Sequence, residues 1–113
     1  MSHRTSGKYP TRSRAVIHNG VVTTVAVADT KVPDHYEQAC DALKVIERNL
    51  AEAGTSKARI LTATIYITDM KKKVEFNRAW DEWVDLQNLP LRACVGVALE
   101  ADDLVEIVVT AEI

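Results

Sequence analysis

The chain has 113 residues, 47% of them hydrophobic and 27% charged, which is close to the composition of an average globular protein. Its length is that of one ordinary domain, and its composition excludes a disordered chain. The net charge of −2 combines four basic residues and no acid in residues 1–14 with an acidic remainder. We expect residues 1–14 to be a flexible basic arm, and the acidic remainder argues against a nucleic-acid partner.

The apolar runs of the chain are too short to cross a membrane. None approaches the roughly 20 residues of a transmembrane helix, and residues 1–14 lack the apolar core of a secretory signal. Cys40 and Cys94 lie far apart among apolar neighbours. Two cysteines are too few for a disulfide framework and are typical of a reducing compartment. We therefore predict a cytoplasmic protein without a membrane partner.

The first predicted elements are two strands, at about residues 14–18 and 21–28. Asn19-Gly20 separates them, and this dipeptide is the strongest short hairpin signal because both residues tolerate positive φ angles. A helix is predicted from Asp34 to Ala53. Asp34 and Glu37 resemble a capping box at its start, and Gly54 is placed to end it.

The second half of the chain predicts a strand, a helix and two more strands. Residues 60–68 alternate between apolar and polar side chains, as a half-buried strand does. A helix is expected at 73–86, with Phe76, Trp80, Trp83 and Val84 on one face. Strands at 92–99 and 104–111 flank an acidic turn and are expected to pair as a hairpin.

The predicted order, β-β-α-β-α-β-β, forms a single domain over residues 15–113. Two amphipathic helices cover one face of such a sheet, so we predict an α+β two-layer sandwich with both helices on one face of a mixed sheet. The uncovered face would be half polar, as in surfaces that contact other subunits, which predicts an oligomer. Its expected residues are Thr62, Thr64, Tyr66, Arg92, Cys94, Val108 and Thr110.

Two charges embedded in apolar strands are the main candidates for chemistry. Such a charge is costly unless it is paired, solvated or used. Arg92 could make a salt bridge at a strand edge or bind a ligand, and Glu106 could form an ion pair between subunits or take part in a reaction. Cys94 could be a small buried hydrophobic residue or line a pocket. Trp80 and Trp83 could be core or interface anchors or bind a ligand.

Most other sites are excluded by missing motifs. There is no P-loop, no GxGxxG, no CxxC and no HExxH. The three histidines lack ligand spacing, so we expect no metal site.

In the predicted hairpin, Arg92 and Glu106 would stand about 20 Å apart along the strand at roughly 3.3 Å per residue. If both serve one site, they must come from different subunits.

Two segments resemble the motif of the Rid family, also called YjgF or the reactive intermediate deaminases, and in older usage endoribonuclease L-PSP. They are Pro90-Leu91-Arg92-Ala93-Cys94-Val95 and Leu104-Val105-Glu106-Ile107. The resemblance covers residues 13–113 and includes Asn77. The VIHNG opening and the spacing of Trp80 and Trp83 are most similar to the YoaB-type branch.

This resemblance implies a chorismate-mutase-like fold and a homotrimer with ligand clefts between subunits. It implies hydrolysis of imines or enamines derived from amino acids, such as 2-aminoacrylate or 2-iminobutanoate, to ammonia and 2-keto acids, without a cofactor. Arg92 would grip the substrate carboxylate and Glu106 would position water, so these two would be catalytic. The substrate-binding residues implied are Arg92, Cys94, Arg12, Ser13, Val25, Ala26, Asn77 and Trp83.

The chain departs from the family pattern at two places. Arg12-Ser13 stands where deaminase-type members usually carry Tyr-Ser, which would add positive charge beside a bound anion. Val25-Ala26-Val27 stands in place of Ser-Gly-Gln, which removes a polar wall of the pocket. A non-catalytic trimer that binds small carboxylates or 2-keto acids therefore remains an alternative. RNA cleavage, suggested by the older family label and the basic arm, ranks third.

Overall fold

The computed structural model of the chain describes residues 2–113 and contains one six-stranded sheet with two helices. The strands are β1 (His3–Ser6), β2 (Ser13–His18), β3 (Val21–Val27), β4 (Ile60–Ile67), β5 (Leu91–Gly96) and β6 (Val105–Glu112). The helices are α1 (His35–Glu52) and α2 (Lys73–Trp83), and short 3-10 helices occur at Lys57–Arg59 and Met70–Lys72. The strand order is β1-β2-β3-β6-β4-β5, and β4 and β5 are parallel while the other neighbours are antiparallel.

The two-layer α+β prediction is confirmed, because both helices pack on one face of this mixed sheet. The core lies between the two layers, and burial of these side chains is what holds the layers together. Its largest fully buried apolar side chains are Leu43, Ile46, Leu50, Ile65, Ile67, Phe76, Ile107, Val22, Val105 and Val109. No helix within residues 2–113 combines the length and hydropathy of a transmembrane segment.

Local signals in the sequence correctly located the first hairpin and the first helix. Asn19 and Gly20 adopt φ angles of 52° and 77°, as the tight turn between β2 and β3 requires. The Asp34 side chain accepts a hydrogen bond from the Glu37 backbone N–H at 2.8 Å, which caps α1. Gly54, with φ of 90°, follows the end of this helix. By contrast, α2 ends at Trp83, three residues before its predicted end.

The N-terminal segment differs from the expected flexible arm. Residues His3–Ser6 form β1 and pair with β2, with Arg4 opposite Val16. Met1 lies outside the described residues. The domain therefore begins well before residue 15, and the predicted element order lacked its first strand. This strand was not predicted because it lies at the sheet edge, is largely exposed and has no apolar alternation.

The predicted hairpin between the last two strands is wrong. β4 lies between β5 and β6, and β5 pairs in parallel with β4 through the α2 connection. Arg92 pairs with Ala63, and Cys94 pairs with Ile65. Paired residues project to the same face, so Arg92 and Cys94 lie on the helix-covered face rather than the uncovered one. The other residues expected on the uncovered face alternate with buried neighbours and do lie there.

Candidate functional site

Arg92 is held by three side chains of α2. Its Nη2 donates a hydrogen bond to Oδ1 of Asn77 at 2.8 Å. Its Cζ lies 5.3 Å from the ring centroid of Trp80 and 5.6 Å from that of Phe76, within the range of cation–π attraction. A long, flexible side chain is thereby fixed in one position at the β5 edge of the sheet.

The spacing of these supports follows from the helix period. Phe76 and Trp80 are separated by one turn, are both buried, and anchor α2 to the core. Asn77 comes one residue after Phe76 and is half-buried at the margin of the helix, where it reaches β5. The same packing that stabilises the fold therefore places a hydrogen-bond acceptor and two aromatic rings around Arg92.

The guanidinium of Arg92 has no acidic partner in its own chain. Within residues 2–113, no Asp or Glu oxygen lies within 4.0 Å of it, so the strand-edge salt bridge considered above does not form. A guanidinium carries five N–H donors in a planar fork that matches a carboxylate. Arg92 is therefore positioned, charged and able to bind an anion.

Cys94 and Trp83 were also predicted to bind substrate, and their surroundings differ from those of Arg92. Cys94 has a free thiol, is half-buried, and packs against the core on the same face as Arg92. Trp83 lies in the contact between the helices, where its Nε1 donates to a Glu47 carboxylate oxygen. Lys57 donates to the Trp83 carbonyl at 2.6 Å and lies 5.2 Å from its ring centroid. Trp83 is thus engaged in a structural cluster, and Trp80 is the indole that meets Arg92.

Glu106 lies on the opposite face of the sheet from Arg92. It pairs with Val27 of β3 and Tyr66 of β4 on the uncovered face. Partial burial raises the pKa of the Glu106 carboxyl, and the nearby carboxylates of Asp103 and Glu100 raise it further. Because the sheet separates the two side chains, one chain cannot bring Arg92 and Glu106 to the same small ligand. The conclusion drawn from the hairpin stands, although the hairpin itself was wrong.

The remaining predicted binding residues lie on the other side of the molecule. Arg12 belongs to the loop between β1 and β2, and Ser13 begins β2. Val25 projects from the uncovered face and is 41% exposed, whereas Ala26 is buried beneath the helices. Three strands, β3, β6 and β4, separate β2 from β5. The predicted substrate-binding residues therefore form two groups. One lies on β5 and α2, and the other lies on β2, β3 and the loop before β2.

The loop between β1 and β2 surrounds a cavity of about 610 Å³. Residues 4–13 line it and include Arg4, Lys8 and Arg12. The Arg12 Cζ lies 4.4 Å from the ring centroid of Tyr9, and Arg12 donates to Thr11 at 3.3 Å. Within residues 2–113, no cluster of three or more His, Cys, Asp or Glu side chains could hold a metal ion.

Two supporting residues were missed by the sequence reasoning. Trp80 was named only as an anchor or a ligand contact, and Phe76 only as part of an apolar helix face. The signal that would have identified them is the grouping of Phe76, Asn77 and Trp80 within one helical turn, together with β-α-β order around α2. That order brings α2 against the strand that carries Arg92.

Comparisons with known proteins identify the family. The family model described as Endoribonuclease L-PSP matches residues 4–113. A RutC family protein from Haemophilus ducreyi is 41% identical over 103 residues, covering 89% of this chain and 88% of that protein. The RutC family protein YoaB from Escherichia coli is 34% identical over 87 residues, covering 77% of this chain and 76% of YoaB.

Solved structures agree with this assignment. A member of the YjgF protein family from Neisseria meningitidis superposes with a TM-score of 0.94 at 37% identity, covering 99% of this chain and 94% of that one. A YjgF-family member from Mycobacterium tuberculosis gives a TM-score of 0.89 at 27% identity, covering 100% of both chains. The protein is therefore a member of the Rid family, also called the YjgF or endoribonuclease L-PSP family.

Proposed function

We propose that the protein hydrolyses imines and enamines derived from amino acids, of the 2-aminoacrylate or 2-iminobutanoate type, to 2-keto acids and ammonia. The observation that carries this proposal is the Arg92 guanidinium, which is held by Asn77 and Trp80 and has no acidic partner in its own chain. A 2-imino acid presents a planar carboxylate next to its C=N bond. Arg92 grips that carboxylate with two parallel hydrogen bonds and so fixes the position of the reacting carbon.

The reaction adds water and releases ammonia. An enamine first tautomerises to the imine, gaining a proton at carbon and losing one from nitrogen. The oxygen of water then bonds to the imine carbon as the π electrons of the C=N bond move to nitrogen, which is protonated to give a carbinolamine. The carbinolamine hydroxyl loses its proton and becomes the C=O group, while the C–N bond breaks and the nitrogen leaves as ammonia with the electron pair of that bond and a second proton. Glu106 takes each proton from the oxygen and returns it to the nitrogen. The raised pKa of its carboxyl favours this role, because a weaker acid is a stronger base. No oxidant, reductant or organic cofactor enters the balance.

The proposed cleft lies between copies of the chain in a homotrimer. One copy supplies Arg92, Asn77 and Cys94, and neighbouring copies supply Glu106 and the residues near the first strands: Arg12, Ser13, Val25 and Ala26. In a ring of identical chains, two different surfaces of the chain meet. Exposed apolar side chains on the uncovered face, among them Leu91 at 75%, support such a contact. Light scattering should give about three times the 12.5 kDa of one chain, and a stable monomer would contradict the cleft.

The test follows the decay of 2-aminoacrylate or 2-iminobutanoate generated enzymatically in the same vessel. The wild-type protein should accelerate the decay, and Arg92→Ala should lower kcat/KM by about a hundredfold or more. Arg92→Lys should not restore it, because an ammonium group cannot form the planar fork. Arg48→Ala is the control, since Arg48 is exposed and paired with Asp29 at 3.1 Å. Decay no faster than in buffer would refute the proposal.

A non-catalytic trimer that binds small carboxylates or 2-keto acids is the second candidate. The observation that favours it is the apolar stretch of β3, where Val25 is exposed on the uncovered face and Ala26 is buried, so neither offers a polar group to a reacting water. A thermal-shift screen of 2-keto acids separates the two candidates. Stabilisation by keto acids without turnover of any imine would favour the binder, because a ligand that binds only the folded state stabilises it.

A further inference from the structure

Strand β1 and the loop between β1 and β2 carry positive charge that their own chain does not neutralise. Arg4, Lys8 and Arg12 line the cavity of about 610 Å³, and residues 1–14 contain no acid. Within residues 2–113, none of these three cations has a carboxylate oxygen within 4.0 Å. Arg12 and Lys8 both stack on the ring of Tyr9, at 4.4 and 5.6 Å from its centroid. The cavity is therefore suited to an anion.

The charge of the rest of the chain limits the size of that anion. Residues 15–113 carry ten basic and sixteen acidic side chains. A long polyanion such as a nucleic acid needs a basic stripe and would be repelled beyond the loop. A small anionic group that occupies only the loop avoids this repulsion. The observations thus favour a small anionic group, of which the carboxylate of an amino-acid derivative is the kind that the proposed function supplies.

The sheet register relates this loop to Arg92. Residues paired across neighbouring strands form one row that runs over the sheet from Ala15 in β2 to Arg92 in β5. Between these two ends the row passes through Thr24, Val109 and Ala63. Arg12 lies three residues before Ala15, which is about 10 Å along the strand. Arg92 and the loop lie at opposite edges of the sheet. A ring in which the β5 edge of one copy meets the β1–β2 edge of the next therefore brings Arg92 of the first copy to the loop of the second.

We propose, building on the deaminase function above, that the cleft takes imines of dicarboxylic amino acids of the aspartate and glutamate type. Arg92 of one copy grips the carboxylate next to the C=N bond, and Arg12 of the neighbouring copy binds the carboxylate at the far end of the side chain. A four- or five-carbon dicarboxylate carries its two charges at opposite ends, so each arginine can hold one of them. The Arg92 fork is partly used by Asn77, so a second anionic group needs the second arginine. The reaction itself is unchanged: water adds, and ammonia leaves.

The experiment compares the imines of L-glutamate and L-glutamine, which have nearly the same shape and differ in one negative charge. Each is generated in situ by an amino-acid oxidase, and its decay is followed by trapping with semicarbazide. The wild type should prefer the glutamate imine by about tenfold in kcat/KM, the effect expected of one charge-assisted contact. Arg12→Ala should lower kcat/KM more for the glutamate imine than for the glutamine imine and abolish the preference. Arg12→Lys should keep part of it, and Arg48→Ala should keep all of it.

The outcomes separate this inference from the proposed function. Equal acceleration of both imines by the wild type, or an undiminished preference in Arg12→Ala, would overturn the dicarboxylate assignment and leave the deaminase function standing. If the wild type accelerates neither of these imines nor the decay of 2-aminoacrylate, the proposed function falls, and the substrate class falls with it.

Discussion

The helix-covered face and the uncovered face of the sheet each carry one embedded charge, and the surroundings of the two charges differ. On the helix-covered face, Arg92 has a hydrogen bond from its guanidinium to Asn77 and two aromatic rings beside it, all from the same chain. On the uncovered face, Glu106 is partly buried near Asp103 and Glu100, which raise its pKa and offer it no compensation. The cation is supported by side chains of its own chain, whereas the anion lies near two further carboxylates on the uncovered face.

The two side chains are positioned by different means. Arg92 is long and flexible, and fixing it requires packing, because its rotamers would otherwise remain free. Glu106 is shorter and sits on a central strand, where the hydrogen-bonded pairing of β6 with β3 and β4 sets its position. The covered face therefore fixes its charge through the core, whereas Glu106 on the uncovered face is left for the contact between copies that the proposed homotrimer would supply.

The largest expected effect is on the free energy of unfolding and comes from removing a buried ring on the helix-covered face. Phe76 is fully buried and is one of the rings beside Arg92, so Phe76→Ala should lower the free energy of unfolding by about 3–5 kcal/mol. That is a large part of the roughly 5–15 kcal/mol that stabilises a typical domain. Urea denaturation measures the change. Val74→Ala, on the same helix at 72% exposure, should stay within about 0.5 kcal/mol. Similar losses in both variants would contradict this packing.

A second prediction tests the uncovered face through activity. Glu106→Gln should lower kcat/KM by about a hundredfold or more, the contribution typical of a general base. In the wild type, activity should fall on the acidic side at a higher pH than an ordinary glutamate would give, because the pKa of Glu106 is raised. The variant should lack this acidic limb. A pH profile of kcat/KM measures both effects, and an unchanged limb in Glu106→Gln would assign it to another group.

The same variant separates the two interpretations of Glu106 through stability. A carboxyl whose pKa is raised by folding binds its proton more tightly in the folded state, so stability falls as pH rises above the unfolded pKa. Gln removes this cost, and Glu106→Gln should melt no lower than the wild type at neutral pH. An ion pair between subunits predicts the opposite result. Thermal melts of the assembled protein at acidic and neutral pH decide between the two.

How much of this fold could be predicted depended on whether the signal was local. The Asn19-Gly20 turn and the Asp34 cap are properties of a few adjacent residues, and both were located from the sequence. The pairing of β5 depends on a connection through α2, and alternation along a strand does not say which neighbour it joins. The four-residue turn predicted at 100–103 is part of a longer connection, because residues 97–104 lie between β5 and β6.

The candidate site shows the same limit. Arg92 and Glu106 could be singled out because a charge within an apolar strand needs an explanation. The face of Arg92 was predicted wrongly, since the face of β5 follows from its partner strand, whereas alternation along β6 correctly placed Glu106 on the uncovered face. Phe76 and Trp80 have the pattern of ordinary core residues, and their contact with Arg92 exists only because β4, α2 and β5 form one β-α-β unit.

The smallest expected effect sharpens the comparison by giving Arg92 the acidic neighbour that it lacks. Asn77→Asp keeps the shape of the side chain and places a carboxylate where the amide oxygen accepts the Arg92 hydrogen bond at 2.8 Å. The new ion pair occupies the guanidinium and competes with the substrate carboxylate, so KM should rise about tenfold, equivalent to about 1.4 kcal/mol. The melting temperature should not fall, because a half-buried ion pair replaces a hydrogen bond in which only the arginine is charged. Asn77→Ala should raise KM as well but leave Arg92 unneutralised and more mobile, so its melting temperature should drop. Steady-state kinetics and melts of both variants measure these effects, and an unchanged KM in Asn77→Asp would show that Arg92 does not bind the substrate carboxylate.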